Sequence, residues 1–326
     1  MAKSPASKKN VASSRPATRA AKRTPGRAPV KSSSGRPAGL FTWLAVGLVV
    51  VIVATLVIIK VASGGPGSTS GTGAFTPVDP TTFSQITKVP ASVFNAVGAT
   101  SQVVQVSPPI TLKDQPALTA QNSSGKTVPE ILYVGADYCP YCAAQRWPTI
   151  IALSRFGTWS GLGNMTSYAH DVYPSTPTFT FSRASYKSQY LVFKSVEEYT
   201  NYLNSAGTNY QLLQSPTKAE VALVEKYDTP KYVTGLSSSD GNPIPFITMD
   251  NKFIISGASY SPDTLTSLTR SDIATGLSDP TSPVTDAIIA SANYQTAAIC
   301  SMTNNEPSNV CTSSGVMAAK TAMNIK

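Results

Sequence analysis

The stretch Ile131-Leu132-Tyr133-Val134-Gly135-Ala136-Asp137-Tyr138-Cys139-Pro140-Tyr141-Cys142 passes from a run of large apolar residues to two cysteines three positions apart. An apolar run closed by a glycine predicts a buried strand over residues 131–134. Beyond the cysteines, Ala143, Trp147, Ile150, Ile151 and Ser154 recur at helical spacing, and Gly157 supplies a stop. Pro140 suits a first helical turn, where no N–H is needed, and Pro148 predicts a kink further in. The cysteines therefore open a helix that follows a strand. A thiol at that place gains acidity, because unpaired backbone N–H groups and the positive end of the helix dipole favour a thiolate. A C-x-x-C on a strand-to-helix turn points to thiol–disulfide exchange.

Outward from this stretch the pattern is mixed α and β. Residues 83–97 hold a turn, Val89-Pro90-Ala91-Ser92, before a short helix, and residues 103–106 alternate like a strand. Residues 121–126 form a turn with Ser124-Gly125 at its tip. Residues 178–181 and 190–193 are strand-like and aromatic, whereas 195–204 and 217–227 predict helices, the second opened by a Thr217/Glu220 capping box. Residues 246–249 and 253–256 predict strands joined by Asp250-Asn251, a hairpin signal. Ser261-Pro262 opens a further helix bearing Leu265, Leu268 and Ile273, and residues 284–299 predict a last one.

The compartment decides what the thiols do. Residues 40–60 begin with an uncharged apolar run long enough to cross a bilayer, with Trp43 near one end and Lys60 at the other as interface anchors. A cleaved signal peptide would have a shorter apolar stretch and a small-x-small site, which Lys60 spoils, so the length argues for a retained anchor. Residues 1–39 carry Lys3, Lys8, Lys9, Arg15, Arg19, Lys22, Arg23, Arg27, Lys31 and Arg36 and no acid. The chain's net charge is +9, so the tail accounts for all of it and the remainder is close to neutral. Positive-inside bias puts this basic, disordered tail in the cytoplasm and the rest of the chain outside the cell membrane. No aromatic interleaves the basic residues, which argues against nucleic acid as a partner. Residues 61–74, mostly Gly, Ser and Thr, predict a flexible linker to an extracytoplasmic domain over residues 75–326.

The strand, Cys139-Pro140-Tyr141-Cys142, the Pro148-bearing helix, and then Ile244-Pro245-Phe246-Ile247-Thr248-Met249 with its hairpin together resemble the thioredoxin-fold superfamily. The resemblance implies an α/β domain in which Pro245, preceded by Ile244, is cis and lies against the C-x-x-C, while Gly257 closes the next strand. The extracytoplasmic part, including residues 143–157 and the C-terminal cysteines, also resembles a prokaryotic family of membrane-anchored, thioredoxin-like proteins (domain of unknown function 929) that lends no activity. Between Cys142 and Pro245 lies more chain than thioredoxin needs, implying a partly helical insertion over about residues 161–235. Tyr133 stands where thioredoxins place a buried Asp, so no buried carboxylate base is evident, and Tyr138 replaces the usual Trp before the motif. The Pro140-Tyr141 dipeptide is that of glutaredoxins, but nothing marks a glutathione site, and no cofactor is implied.

In the implied chemistry Cys139 forms a mixed disulfide with a protein thiol or disulfide substrate, Cys142 resolves it, and Pro245 holds the substrate chain beside the sulfur. An outward-facing domain favours an oxidant or isomerase; a tethered reductant served by a membrane electron-relay partner has the same layout. Asp137, close to Cys139, either carries protons for Cys142 or faces solvent. Arg146 either steers acidic thiol partners or solvates its face. Cys300 and Cys311 flank a turn, Asn304-Asn305-Glu306-Pro307, and predict a structural disulfide; a second redox pair is the rival reading. His170, the one histidine, would need Cys139, Cys142 and a fourth ligand to hold metal, so no metal is expected. Two function classes follow: a thiol–disulfide oxidoreductase, or a non-catalytic thioredoxin-like binding module with permanent bridges.

Overall fold

A computed structural model describes residues 75–99 and 104–325. The basic tail, the membrane span and the linker expected over 1–39, 40–60 and 61–74 lie outside the described residues. Among the described residues no helix is long and apolar enough to cross a membrane.

The described chain begins with two helices, α1 (Pro80–Thr87) and α2 (Ala91–Val97). Asp79 caps α1 by accepting from the Thr82 N–H at 2.9 Å, and Pro90 separates the two, so the weak pattern expected over 83–97 is two short helices. Residues 104–106, expected as the end of a strand, are irregular; β1 is Ile110–Thr111. The strands β2 (Thr119–Gln121) and β3 (Thr127–Gly135) form a hairpin, and α3 (Pro140–Leu153) follows β3. Next come β4 (Thr158–Ser160), β5 (Gly163–Thr166), β6 (Pro177–Thr180) and β7 (Ser185–Lys187), in which β4 pairs with β7 and β5 with β6. They lead into β8 (Val192–Glu197), the hairpin β9 (Tyr199–Leu203) and β10 (Tyr210–Leu212), and α4 (Lys218–Tyr227). The hairpin β11 (Phe246–Met249) and β12 (Phe253–Ser256) precedes a 3-10 turn (Pro262–Leu265), α5 (Arg270–Gly276), α6 (Pro283–Met302), α7 (Ser308–Cys311) and α8 (Ser314–Ala322).

β3 organises the main sheet. It runs antiparallel to β11, which pairs with β12, which pairs with β1; on its other side it pairs with β2 and, in parallel, with β8. The sheet is thus mixed, and the domain is of mixed α/β class. Alternate β3 side chains serve two cores, as strand periodicity requires. Ile131 and Tyr133 join the large cluster with Trp147 and Ile150 of α3 and Ile288 of α6, while Leu132 and Val134 pack with Val196, Leu223 and Val224. Helices on both faces explain why the strand reads as a continuous apolar run.

Three sequence expectations are corrected here. Residues 195–204 are strand, not helix: they hold the end of β8 and all of β9. Val196, Tyr199, Thr200 and Tyr202 are β-branched or aromatic, and the six-residue parallel register of β8 against β3, Glu130 opposite Val192 to Gly135 opposite Glu197, overrides their weak helical spacing. Residues 161–235 are consequently not one insertion. β8 belongs to the main sheet, and the extra chain falls into strand pairs before it and a hairpin after it, with α4 as the helical part. The helix expected from Ser261 is broken into the 3-10 turn and α5 at Ser267, whose φ is +65°, and the Thr269/Asp272 capping box restarts it.

Pro148 sits inside α3 as expected. A proline there cannot bond to the carbonyl four residues back. That carbonyl, on Ala144, is taken instead by the Tyr260 hydroxyl at 2.8 Å, and the neighbouring Ala143 carbonyl accepts from Thr178 Oγ1 at 2.8 Å. α6 is buried along most of its length, and Thr149 of α3 donates to Gln295 of α6 at 3.0 Å. Cys300, near the end of α6, is bridged to Cys311 of α7, and both are fully buried. Closing this short loop restricts the unfolded chain by about 3 kcal/mol in the chain-entropy model. Cys300→Ser with Cys311→Ser should therefore lower unfolding stability by about 3 kcal/mol in denaturant titration. Unchanged stability would remove the bracing role.

Candidate functional site

The cysteines lie where the sheet meets α3. Gly135 ends β3 beneath the motif; a Cβ there would collide with the Tyr133 hydroxyl. Cys139 is the N-cap of α3, with extended backbone (φ −76°, ψ 123°), and its sulfur accepts the Cys142 N–H at 3.3 Å. Pro140 occupies the first helical turn. Cys142, one turn in, is fully buried, while Cys139 retains 5% exposure, so Cys139 is the more accessible thiol. Both are free thiols.

Across from Cys139 lies the start of β11. The Cys139 thiol donates to the Ile244 carbonyl at 3.5 Å, the Ile244–Pro245 peptide is cis, and Pro245 is buried beside it. The Pro245 carbonyl accepts from the Gly257 N–H at 2.9 Å, and Gly257, at φ +76°, turns the chain out of β12 there. Thus Cys139, Cys142, Ile244 and Pro245, far apart in sequence, share one place.

The two thiols differ electrostatically. The Cys142 thiol, the Cys142 N–H and the Arg146 guanidinium all favour a Cys139 thiolate and hold its acidity above that of a free cysteine, against the cost of burial. Burial pushes Cys142 far up, and the neighbouring Cys139 sulfur adds to the effect. The two thiols are therefore chemically distinct: Cys139 is the more acidic and the more exposed.

Beneath the thiols lies a buried ionic group that the sequence reading missed. Arg146, one turn beyond Cys142, is fully buried rather than solvated. Its Nε donates to Glu197 Oε1 at 2.9 Å and its Nη2 to Glu197 Oε2 at 2.6 Å and to the Ala136 carbonyl at 2.9 Å. Asp137 Oδ1 lies 3.6 Å from the same Nη2. Asp137 is 1% exposed, so the solvent-facing alternative is excluded, and buried carboxylates exist although Tyr133 replaces the one expected on the strand. One guanidinium faces two carboxylates, and the bidentate partner is Glu197. Asp137 is the surplus acid: burial first, then the Glu197 charge, push it up to about 7 despite Arg146. It also forms part of the wall of a polar cleft of about 430 Å³, with Thr180, Asn201 and Arg270. Glu197 is hidden in the sequence because the spacing over residues 195–204 is compatible with a helix, and only pairing with β3 makes it strand.

The mouth of the site is aromatic. Tyr138 stacks on Tyr210 with ring centres 3.9 Å apart, Tyr168 meets Tyr210 edge-on at 5.2 Å, and the exposed Tyr141 meets Tyr173 edge-on at 5.9 Å. His170 is exposed and packs on Tyr168 at 5.4 Å. Among the described residues no group of three or more His, Cys, Asp or Glu is placed to hold a metal ion.

Fold and site together define a mixed α/β domain with a C-x-x-C at a strand-to-helix turn, facing a proline-led hairpin. A family model described as a domain of unknown function (DUF929) matches residues 117–301, more than half of the chain. The protein belongs to that family. No curated protein matches the chain, and no solved structure does.

Proposed function

We propose that the protein is a membrane-anchored, extracytoplasmic thiol–disulfide oxidoreductase of thioredoxin type, acting on protein thiols through Cys139 and Cys142. The observation that carries this reading is the Cys139 sulfur at the N-cap of α3, 3.3 Å from the Cys142 N–H and 3.5 Å from the Ile244 carbonyl. The Cys142 N–H at the start of the helix favours the thiolate of this sulfur, and the Ile244 carbonyl beside it marks a backbone edge along which a substrate chain can lie. The neighbouring arrangement of β3, α3 and the Pro245-led hairpin supports the thioredoxin-type assignment, and the apolar run over residues 40–60 after a basic tail supports the anchor.

In the reductive direction the Cys139 thiolate attacks one sulfur of a partner disulfide. The partner's S–S bond breaks, its second sulfur leaves as a thiolate, and a Cys139–partner disulfide forms. Cys142, on losing its proton, then attacks Cys139; the Cys139–partner bond breaks, the partner leaves as its second thiolate with the two electrons gained, and the protein is left oxidised as the Cys139–Cys142 disulfide. The oxidative direction is the same sequence reversed. Arg146 favours the anionic form of both thiols. Asp137, linked to them through Arg146 and titrating near neutrality, is suited to accept the proton that Cys142 releases.

The test is turnover by the full-length protein in detergent. It should accelerate insulin reduction by dithiothreitol, refolding of a reduced disulfide protein, or both. Inertness in both assays, with no mixed disulfide formed by the Cys142→Ser variant, would assign the domain instead to non-catalytic binding.

A further inference from the structure

The chain holds two Asn-x-Ser/Thr sequences, Asn122-Ser123-Ser124 and Asn164-Met165-Thr166, neither with a proline in the middle. That pattern is the acceptor for asparagine-linked sugar on the outer side of a membrane, and the amide nitrogen of the asparagine is the atom modified. The acceptor asparagine must therefore be open to an enzyme and its Nδ2 free of other bonds. The structure places the two asparagines in opposite situations.

Asn164 lies within β5, paired with β6, and its backbone N–H donates to the Thr76 carbonyl at 2.7 Å. Its Nδ2 donates to the Pro77 carbonyl at 3.1 Å, and its Oδ1 is buried. The nitrogen that would carry sugar is thus tied to the backbone of a packed segment. Asn122 instead begins the turn between β2 and β3, where residues 123–127 are all exposed. Its N–H donates to the Lys126 carbonyl at 2.9 Å, and its own carbonyl accepts from Gly125, which turns the chain at φ +74°. Its side-chain Oδ1 accepts from the Ser124 N–H at 3.0 Å and the Lys126 N–H at 3.1 Å, an Asx-turn that holds the side chain by its oxygen. Nδ2 has no hydrogen-bond partner among the described residues, and the Ser124 hydroxyl stands beside it on the exposed turn. β3 then runs nine residues to Gly135, so this tip lies about 27 Å along the strand from the turn that carries Cys139. Bulk added at the tip leaves the thiols open.

We propose that Asn122 is a glycosylation site, that its sugar donor is a lipid-linked oligosaccharide phosphate used by a transferase of the same membrane, and that Asn164 stays unmodified; the proposal rests on the outward orientation in the reading above. In the step, Asn122 Nδ2 forms a bond to C1 of the first sugar. The bond from C1 to the phosphate oxygen breaks, the lipid phosphate leaves with that electron pair, and the amide gives up one proton to solvent. Nothing is oxidised or reduced.

The experiment takes the full-length protein, extracted in detergent from the membranes of the cells that naturally make it, and weighs its proteolytic peptides by mass spectrometry. The peptide with Asn122 should carry the added mass of an oligosaccharide and release sugar fragments on collision; the peptide with Asn164 should have its unmodified mass. On gels, Asn122→Gln should lose the mobility shift that the sugar causes, and Asn164→Gln should keep it. Ser124→Ala should lose it although Asn122 remains, whereas Ser124→Thr should retain it, an outcome that a merely structural role for the turn would not produce. An unmodified Asn122, a sugar on Asn164, or a sugar that survives Ser124→Ala would overturn the proposal. Intact cells treated with a membrane-impermeant amine-acylating reagent separate the two readings, because Lys126 is exposed on the same turn. If Asn122 is unmodified while Lys126 is acylated, the glycosylation alone falls; if Asn122 is unmodified and Lys126 is spared, the outward orientation falls with it.

Discussion

If the protein exchanges thiols as proposed, Cys139→Ser should abolish that exchange, and Cys142→Ser should convert the protein into a trap that accumulates mixed disulfides with its partners. Both outcomes follow from the asymmetry at the start of α3. Cys139 accepts the Cys142 N–H, faces Ile244, and has its acidity raised by its neighbours, so in the proposed exchange it makes the first attack. A serine hydroxyl at this place is not appreciably ionised at neutral pH and cannot enter a disulfide, which leaves only the background rate. Cys142 is fully buried and its thiol is pushed far up, so in the proposed exchange it acts only on the disulfide already made at Cys139. Removing it leaves the first step intact and the second without a nucleophile. Non-reducing gels of membranes expressing Cys142→Ser should show adducts that collapse with dithiothreitol and vanish when Cys139→Ser is added. The alkylation rate of Cys139 should also plateau at a lower pH than that of a free cysteine. An ordinary cysteine profile, or adducts that persist without Cys139, would contradict the assignment of roles.

The centre of this site was legible because its signals are local. Apolar residues 131–134, the two cysteines and the helical spacing behind them lie within one short stretch, and β3 and α3 form as that stretch predicts. The β11–β12 hairpin was equally local: Asp250 and Asn251 have φ of +54° and +51°, the left-handed conformation that such a turn demands. The parts that were missed depend on partners distant in sequence. Residues 195–204 carry apolar side chains at a spacing compatible with a helix, and pairing with β3 decides that they are strands. Glu197 was lost with that error, and without Glu197 an arginine on α3 reads as a solvated charge. The tyrosine mouth is non-local in the same way, since Tyr138 and Tyr210 stack only after the chain between them has folded. The anchor, by contrast, is read from composition alone, and it lies outside the described residues.

Arg146→Met should cost about 3–5 kcal/mol of stability at alkaline pH, because it leaves buried carboxylates with no cation. Methionine keeps the helix and much of the side-chain volume, so the loss isolates the charge. The effect should depend on pH in a sign fixed by Asp137. Its folded pKa of about 7 lies above the ordinary value of 3.8, so the folded state binds the proton more tightly than the unfolded chain does. The stability this contributes is complete below about pH 4 and disappears as pH rises towards 7, at up to about 1.4 kcal/mol per unit. Asp228, raised to about 6 mainly by burial, has the same sign, but it is common to wild type and variants and cancels in their difference. Removing Arg146 removes an attraction that holds Asp137 down, so the proton stays on to higher pH and the loss of stability extends further. Arg146→Met should therefore be mildest near pH 5, where Asp137 is protonated, and worst near pH 8. Asp137→Asn should reverse the trend: close to wild type at pH 5, more stable than wild type at pH 8, and able to restore part of the loss when combined with Arg146→Met. Denaturant titrations of the full-length protein in detergent at the two pH values measure all four combinations. A cost below about 1 kcal/mol for Arg146→Met at both pH values would mean that the guanidinium does not hold the carboxylates. An Asp137→Asn variant with the pH dependence of wild type would show that the surplus proton sits elsewhere.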